Sequence, residues 1–259
     1  MSRITMAEAP ASGVIDRRDV PIEALAGPRE LPITLALNEV DYATVLATPD
    51  QLEPWALGFC FAEGLIEQGS DIHGFTTERL RHGLLLRAQV DARLARLAQE
   101  QRRVGASMSS CGRCGTASEA LLMYGLQQLP DRPLVAEEHL RSALEHLQQQ
   151  RQVGLHTALG VDGQGQLLGC AHDIGRHNAI DKVIGSGLAS GTMPSLLVVS
   201  SRCSIELVQK AVRAGVTALA CVSMPSALSV EIARLCQLQL YYCRRNAPIE
   251  LFGGGSAHP

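Results

Sequence analysis

The carboxyl-terminal half of the chain alternates apolar stretches with amphipathic ones, and this alternation limits the folds that the chain can adopt. The apolar stretches at residues 195–200, 216–222 and 238–242 predict strands. Residues 204–214 and 226–235, which lie between them, predict helices. Strands that are joined through helices by short links form a parallel sheet covered by helices. We therefore predict an α/β fold in which the carboxyl-terminal domain is a layered, mostly parallel sheet.

Further elements are predicted upstream of this alternation. Residues 155–161 and 167–170 predict two strands joined by a turn, and a helix should follow from about residue 177 to residue 187. The stretches before them are predicted to form a hairpin within residues 31–47 that turns near Asn38, a helix opened by Thr48-Pro49-Asp50 that ends near Ile66, a strand at 84–90 and a helix at 137–150.

These elements divide the chain into three predicted parts. Residues 1–28 are rich in proline and glycine and are predicted to form a mobile tail. Residues 29–150 would form a smaller amino-terminal α+β part, and residues 151–259 an α/β domain that binds a cofactor. The boundary is placed near residues 148–152.

Charge and hydropathy exclude some classes of function. The 259 residues include 23 basic and 26 acidic side chains, a balance that argues against a nucleic-acid-binding protein. No apolar run approaches the roughly 18–20 residues that span a membrane. The first residues lack the apolar stretch of a secretory signal. We expect a cytoplasmic protein with neither nucleic acid nor a membrane as a partner.

Two of the eight cysteines differ from the others. Most lie among apolar neighbours and are predicted to be buried thiols. Cys111 and Cys114 instead lie within residues 102–118, where small residues dominate and no period is evident. We predict that this stretch is a long loop, and long loops in compact domains are commonly functional.

The spacing of Cys111 and Cys114 leaves several chemistries open. A structural zinc site needs four ligands, and the sequence contains no second Cys-x-x-Cys. A redox dithiol of the thioredoxin type would follow a strand and open a helix, which the polar flanks do not favour. Sulfur carriage fits the flanking glycines, which let the thiols be presented, and Arg113, which could lower a thiol pKa. The remaining alternative is that the two cysteines have no function, but exposed thiols in such a loop would be open to oxidation.

Two polar segments in the α/β half are candidate anion sites. Gly175 and Arg176 lie between a predicted strand and a predicted helix, where free N–H groups and a guanidinium could bind a phosphate. Arg202 follows another strand in the same way. A capped helix with an Asp–Arg pair is the alternative interpretation of the first segment. The sequence lacks the glycine motifs of dinucleotide and nucleoside-triphosphate sites.

Several segments together resemble one known family. The segments SSCGRCG, DIGRHNAIDKVIG, SSRCSIELVQK, VSMPSALSVEIA and LEPWALGFCFAEGLI, which lie within about residues 30–252, resemble the formate dehydrogenase accessory sulfurtransferases (FdhD). The resemblance implies a homodimeric factor that takes sulfur from a cysteine desulfurase. It implies delivery of that sulfur to a molybdenum cofactor of the bis(molybdopterin guanine dinucleotide) type that serves formate dehydrogenase. It also implies a cytidine-deaminase-type fold in the carboxyl-terminal domain.

The resemblance also implies roles for individual residues. Cys111 would form the persulfide, with Cys114 as its partner. The cofactor would be bound by Cys243, Arg244, Arg245, Asn246, Ala247 and Pro248, together with Arg176 and Arg202. The chain departs from the family's pattern at His172, Met224, Asn246 and Phe252. Deaminase chemistry is not expected, because His156-Thr157-Ala158 lacks the glutamate of the zinc deaminases.

Three functional hypotheses therefore stand. The protein is a sulfurtransferase that carries a persulfide on Cys111, a cofactor-binding chaperone whose thiols only contact the metal or a partner, or a zinc-stabilised interaction protein. The first predicts that sulfur is loaded onto Cys111 and fails to load once that thiol is removed.

Overall fold

The computed structural model describes residues 27–109, 123, 125–244 and 247–254. Within these ranges the chain forms ten strands in two sheets and six α-helices. None of the helices found there is long and apolar enough to cross a membrane. Nearly all of the predicted tail, residues 1–26, lies outside the described residues.

The first sheet has four strands. They are β1 (Leu31–Leu37), β2 (Val40–Ala47), β3 (Ile72–Leu80) and β4 (Gly83–Val90), in the spatial order β2-β1-β4-β3. β1 and β2 form the predicted hairpin, and its turn places Asn38 at a φ of 52°. The Asn38 side chain donates to the Val90 carbonyl at 2.8 Å and accepts from the Val90 N–H at 3.0 Å, which ties the turn to β4. β1 and β4 run parallel, so the sheet is mixed.

Helix α1 (Leu52–Ala62) is shorter than the sequence predicts at both ends. It begins after Gln51, which has a φ of 47°, rather than at Thr48. Thr48 has another role, because its hydroxyl accepts a hydrogen bond from the Ile174 N–H across the molecule. Trp55 and Cys60 are wholly buried and pack in the core of the first sheet.

Helix α2 (Ala92–Ser109) extends into the segment that the sequence predicts as a loop, so that prediction is wrong for its first part. Residues 102–109, which the sequence assigned to a structureless segment, continue this helix. Glycine and serine cost an α-helix at most about 1 kcal/mol each, and the segment holds no proline to stop it. Leu94 and Ala98 anchor the helix in the first core. The rest of the predicted loop, residues 110–118, lies outside the described residues.

The second sheet has six strands. They are β5 (His156–Val161), β6 (Leu167–Asp173), β7 (Leu196–Arg202), β8 (Ala218–Ser223), β9 (Gln239–Cys243) and β10 (Ile249–Gly253), in the order β10-β9-β8-β7-β5-β6. β7, β8 and β9 are mutually parallel, whereas β5, β6 and β10 pair antiparallel. The expectation of a mostly parallel sheet is therefore wrong. Tight connections such as the Asp162–Gly165 turn can join only antiparallel neighbours, and β10 also returns antiparallel to β9.

Helices cover both faces of the second sheet. α3 (Glu137–Gln150) places Leu140, Ala143 and Leu147 against one face. α4 (Arg176–Ser190), α5 (Ile205–Arg213) and α6 (Ala227–Leu235) pack with the core of the other face. α3 has the predicted bounds, but it packs on the second sheet although the sequence placed it in the amino-terminal part. The division into domains stays a prediction.

Two helices join the sheets through a close crossing. A Cβ built on Gly185 would lie 1.8 Å from the Pro54 carbonyl oxygen, and one built on Gly58 would lie 1.9 Å from the Asp181 carbonyl oxygen. No side chain fits at either point, so the backbones of α1 and α4 touch. This crossing places the first sheet against the outer side of α4.

Candidate functional site

One edge of the second sheet collects the polar ends of several elements. The parallel strands β7 and β8 end here, and helices α5 and α6 begin directly after them. β5 starts at the same edge and β6 ends there, since His156 pairs with Asp173. α4 follows β6 after two residues. Ligands of open α/β sheets bind at such an edge, where helix amino ends offer free N–H groups.

A buried ammonium fixes the turn between β6 and α4. The Lys182 side chain is wholly buried, and its Nζ lies 2.8 Å from Oδ2 of the equally buried Asp173. The same Nζ donates to Asp50 and to the carbonyl oxygens of Thr48 and His172. One cation thus holds the loop before α1 against the end of β6.

Asp173 completes this network with its second oxygen. Its Oδ1 accepts hydrogen bonds from the Gly175 N–H at 2.8 Å and from the Asn178 amide at 2.9 Å. Asn178 in turn donates to the Leu46 carbonyl and accepts from the Trp55 indole N–H. Much of the polar pattern around Asp173 therefore connects the two halves of the protein.

This network leaves Arg176, at the amino end of α4, without a hydrogen-bond partner among the described residues. The Asp173–Arg176 pair that the sequence offered as an alternative does not form, because Asp173 is saturated by Lys182, Asn178 and backbone N–H groups. The Nε of Arg176 is buried, and no described residue accepts its hydrogen bond. Gly175 has no side chain with which to cap the helix. A free guanidinium beside an uncapped helix end is suited to an anion.

Titratable side chains surround Arg176. Burial, and then the charge of Arg176, lower the pKa values of both His156 and His177. Nε2 of His177 lies 3.5 Å from Glu206 on α5, at ion-pair distance but without a hydrogen bond. The pKa of Glu206 is lowered, chiefly by the nearby Ser204 hydroxyl. The Ser204 Oγ is itself buried and makes no hydrogen bond of good geometry to a described residue. The Arg176 cluster thus consists of Arg176, His156, His177, Ser204 and Glu206.

A second buried ion pair lies deeper along α4. Lys210 Nζ on α5 lies 2.8 Å and 3.0 Å from the two carboxylate oxygens of Asp181. It also lies 3.9 Å from a Glu63 oxygen and 5.3 Å from the centre of the Phe59 ring at the end of α1. Burial raises the pKa of Asp181 to about 6, although Lys210 favours its charged form. This pair ties α1, α4 and α5 together beneath the Arg176 cluster.

The thiols that end β7, β8 and β9 do not face solvent. Cys203, Cys221 and Cys243 are buried, as predicted for most of the cysteines. Burial raises the pKa of Cys243 to about 12, and contact with Cys203 together with burial raises that of Cys221. The Cys243 side chain packs in the core against α3, so it offers no thiol to a ligand from solvent.

The predicted cofactor stretch after β9 is described in part. Arg244 is exposed, donates to Glu250 at 2.6 Å and lies over the Tyr242 ring at 5.6 Å. Ala247 and Pro248 lead into β10. Arg245 and Asn246 lie outside the described residues. Arg202 is exposed at the end of β7, on the same edge as Arg176.

Cys111 and Cys114 also lie outside the described residues. Of the other six cysteines, five are buried and Cys170 is half-buried. Within the part of the chain that the structure describes, no group of His, Cys, Asp and Glu side chains is arranged to hold a metal ion.

Sequence reasoning missed most of the residues that build this site. Lys182, Asp181, His177 and Glu206 were not singled out as site residues. A signal was present in NAIDKVIG, where an acid and a lysine interrupt an otherwise apolar helix. Charged residues in such a position are rarely buried unless they are paired, so the pattern predicts buried ion pairs.

These features define an α/β protein in which helix amino ends, and a guanidinium without a partner in the described part of the chain, are arranged for an anionic ligand. Comparison with known families matches residues 28–257 to the FdhD/NarQ family. Because the match spans most of the chain, the protein belongs to this family, as the motifs predicted.

Individual relatives agree with this assignment. A protein of Burkholderia mallei named sulfur carrier protein FdhD is 38% identical over 231 residues, which cover 83% of this chain and 84% of the relative. A Bordetella bronchiseptica protein of the same name is 31% identical over 237 residues, which cover 89% and 84%. The crystal structure of a formate dehydrogenase accessory protein from Desulfotalea psychrophila superposes with a TM-score of 0.63 at 22% identity, covering 87% of each chain. This structural likeness shows a shared fold.

Proposed function

We propose that the protein is a sulfur carrier that accepts a persulfide sulfur on Cys111 and passes it to a molybdenum cofactor of the bis(molybdopterin guanine dinucleotide) type. The sulfur donor is a cysteine desulfurase, and the client that uses the finished cofactor is formate dehydrogenase. The observation that carries this proposal is the family match over residues 28–257, with relatives named sulfur carrier proteins at 31–38% identity. The Cys111-x-x-Cys114 pair supplies the thiols that such a role needs.

The transfer is an exchange at sulfur. The Cys111 thiolate attacks the terminal sulfur of the donor's persulfide, a new S–S bond forms, and the donor cysteine leaves as a thiolate. In the second step the acceptor supplies the electron pair for its bond to the terminal sulfur, and Cys111 leaves as a thiolate. Cys114, three residues along the chain, would shield or resolve the persulfide between these steps. The protein thus acts as a sulfurtransferase that returns to its starting state.

The Arg176 cluster supports cofactor binding at the edge of the second sheet. The cofactor carries phosphates at its nucleotide ends, and Arg176 offers a buried Nε that no described residue accepts. The amino ends of α4 and α5 beside it are not capped by a side chain. Arg202 and Arg244 lie on the same edge, and Arg245, Asn246, Ala247 and Pro248 complete the proposed cofactor stretch. Cys243 would contribute through its backbone, because its thiol is buried.

The finer features of the proposal follow from the same resemblance. The six-stranded sheet between α3 and the helices α4 to α6 is compatible with a cytidine-deaminase-type layer, here without the glutamate of deaminase chemistry. The protein would act in the cytoplasm as a homodimer, with no membrane or nucleic acid as a partner.

Sulfur loading tests the proposal on the full-length protein. Incubation with a cysteine desulfurase and ³⁵S-labelled cysteine should label the wild type, and mass spectrometry should find one added sulfur on the peptide that contains Cys111. Cys111→Ser should lose the label. The matched control Cys170→Ser removes the half-buried thiol of β6 and should keep it. Equal labelling of Cys111→Ser and wild type would overturn the proposal.

A cofactor chaperone is the second candidate, and the Arg176 cluster favours it, because this candidate anion site contains no thiol. On this alternative, Cys111→Ser would still yield an active formate dehydrogenase, whereas the sulfur-carrier proposal predicts an inactive one. The zinc-stabilised protein is tested by metal analysis of the purified chain, which should find no stoichiometric zinc.

A further inference from the structure

Positive charge is concentrated in helix α2 and the segment that follows it. Residues 92–118 contain five arginines and a single acidic residue, Glu100, although the whole chain carries a net charge of −3. The rest of the chain is therefore acidic overall, and an anionic partner is attracted to this stretch in particular. The proposed anion site at Arg176 lies far from it in the sequence, so these charges need a separate explanation.

Three of these arginines lie on the solvent side of α2. Leu94 and Ala98 pack into the core of the first sheet and hold the helix there. Arg93, Arg96 and Arg102 are exposed, and the ion pairs formed within the described part of the chain include none of them. We call these three residues the α2 arginines. A guanidinium that no neighbouring carboxylate neutralises is available to an acidic partner.

The α2 arginines lie away from the Arg176 cluster. Gln101, beside Arg102, accepts a hydrogen bond from the Tyr42 hydroxyl at 3.3 Å, and the Tyr42 ring meets Phe59 edge-on with ring centres 6.1 Å apart. Phe59 lies in the last turn of α1, whereas the Asp173 network contacts the residues just before this helix begins. Since an α-helix rises about 1.5 Å per residue, α1 separates the two places by roughly 10 Å. The α2 arginines therefore serve a different partner.

Helix α2 leads directly into the segment that carries the two distinctive thiols. The helix ends at Ser109, two residues before Cys111. Under the proposed function, a donor protein brings its persulfide to Cys111, so it has to contact this protein close to α2. Attraction between opposite charges speeds the encounter of two proteins and orients them. Basic side chains on the helix that precedes the acceptor thiol are suited to this task.

We propose that the α2 arginines are the docking surface for the sulfur donor, the cysteine desulfurase, and that they contact an acidic surface of that enzyme. The inference rests on the proposed function, and it adds the surface by which the donor is recognised. Docking brings the two proteins together in the correct orientation, and the exchange at sulfur then takes place at Cys111. Removal of these charges should raise the KM of sulfur transfer and leave kcat unchanged.

Kinetics of ³⁵S transfer from a cysteine desulfurase to the full-length protein test the proposal. The α2 variant combines Arg93→Gln, Arg96→Gln and Arg102→Gln, which removes three charges and keeps side chains of similar helix propensity. At low ionic strength its KM should be about tenfold above the wild-type value, with the same kcat. Added salt should raise the KM of the wild type and change that of the α2 variant much less, because salt screens charges on exposed surfaces.

The matched control removes the same number of charges elsewhere. It combines Arg79→Gln, Arg81→Gln and Arg151→Gln, three exposed arginines outside α2, and should keep the wild-type KM. A wild-type KM in the α2 variant, or an equal rise in both variants, would overturn the proposal. Loss of heparin binding by the α2 variant at an unchanged KM would assign the arginines to a nucleic acid or another polyanion, and would equally overturn it.

A small sulfur donor separates docking from the reactivity of the thiol. Free cysteine persulfide needs no docking surface, so it should load Cys111 at the same rate in the wild type and in the α2 variant. Slower loading of the variant would show that the substitutions disturb the thiol itself, and would refute the docking role. A wild-type Cys111 that accepts sulfur from neither donor would remove the proposed function and this inference with it, whereas an unchanged KM would remove the docking surface alone.

Discussion

The Nζ of Lys182 lies 2.8 Å from Oδ2 of Asp173, and both side chains are wholly buried. Lys182 lies on α4 and Asp173 ends β6, so the pair spans the turn that presents Arg176 to the ligand edge. Through Thr48 and Asp50 the same ammonium reaches the loop before α1. The position of the proposed anion site thus depends on contacts between the two halves of the chain.

Replacing Lys182 with Met should destabilise the protein by about 3–5 kcal/mol, because it leaves the buried Asp173 carboxylate without its cation. Urea unfolding followed by circular dichroism measures this loss. Arg141→Met is the control, since Arg141 pairs with Glu137 on an exposed face of α3 and should cost less than about 1 kcal/mol. Equal losses for the two variants would show that Lys182 is not a structural cation.

Gly185→Ala should lower the free energy of unfolding by about 1–3 kcal/mol. The new Cβ would collide with the Pro54 carbonyl oxygen and force α1 away from α4. Gly169→Ala on β6 is the control, since its Cβ would meet no atom within 4 Å. Thermal unfolding of both variants would reveal the difference. A Gly185→Ala protein as stable as Gly169→Ala would contradict the tight crossing.

Arg176→Gln should weaken the binding of GDP, used as a probe for the nucleotide end of the cofactor, by about 1–3 kcal/mol. The reason is the loss of a charge-assisted hydrogen bond from a guanidinium that no described residue satisfies. Isothermal titration calorimetry measures the affinity, with Arg141→Gln on the opposite face of the sheet as the control. Arg245→Ala should show a loss of the same size. Unchanged affinity in Arg176→Gln would place the anion elsewhere.

The contribution of His177 to GDP affinity should also grow as the pH falls toward the pKa of this ring, which lies below the ordinary histidine value of about 6.5. Burial and Arg176 lower the pKa of His177, so the free protein carries this ring neutral near pH 7. A bound anion favours the protonated ring, and binding then takes up a proton. Glu206 and Lys210 also face His177, and the Glu206 carboxylate stays charged in this range because its pKa is lowered, chiefly by the nearby Ser204 hydroxyl.

The matched comparison is the ratio of wild-type to His177→Gln affinity at each pH, because the titration of GDP itself cancels in this ratio. The ratio should increase from pH 8 toward pH 5.5. A ratio that is flat over this range would show that His177 does not sense the anion.

Elements with a clear period could be predicted from the sequence. Helix α3 has the predicted bounds because Leu140, Leu144 and Leu147 mark one face, and the first hairpin turns where Asn38 permits a positive φ. β3 was missed because most of its residues are exposed, so no alternation of buried and exposed positions exists to be found. The parallel character of the second sheet was overestimated, since the pattern of β10 and the β5–β6 hairpin does not show which neighbour each strand takes.

The candidate site could be predicted only in its local features. Arg176 was identified because glycine and arginine follow a strand. Its freedom from Asp173 could not be foreseen, because Asp173 pairs instead with Lys182 and with the Thr48 N–H, which approaches from a distant part of the chain. Such contacts depend on how two helices cross, which no local pattern in the sequence encodes.

The crossing of α1 and α4 has a consequence for recombination between relatives. Gly58 and Gly185 lie far apart in the sequence, yet each leaves room for the backbone of the opposite helix. A chimera that joins the front half of one family member to the back half of another inherits one glycine from each parent. Such hybrids should fold only when both parents keep a glycine at their half of the joint, so the two halves of this protein are exchangeable between lineages only under that condition.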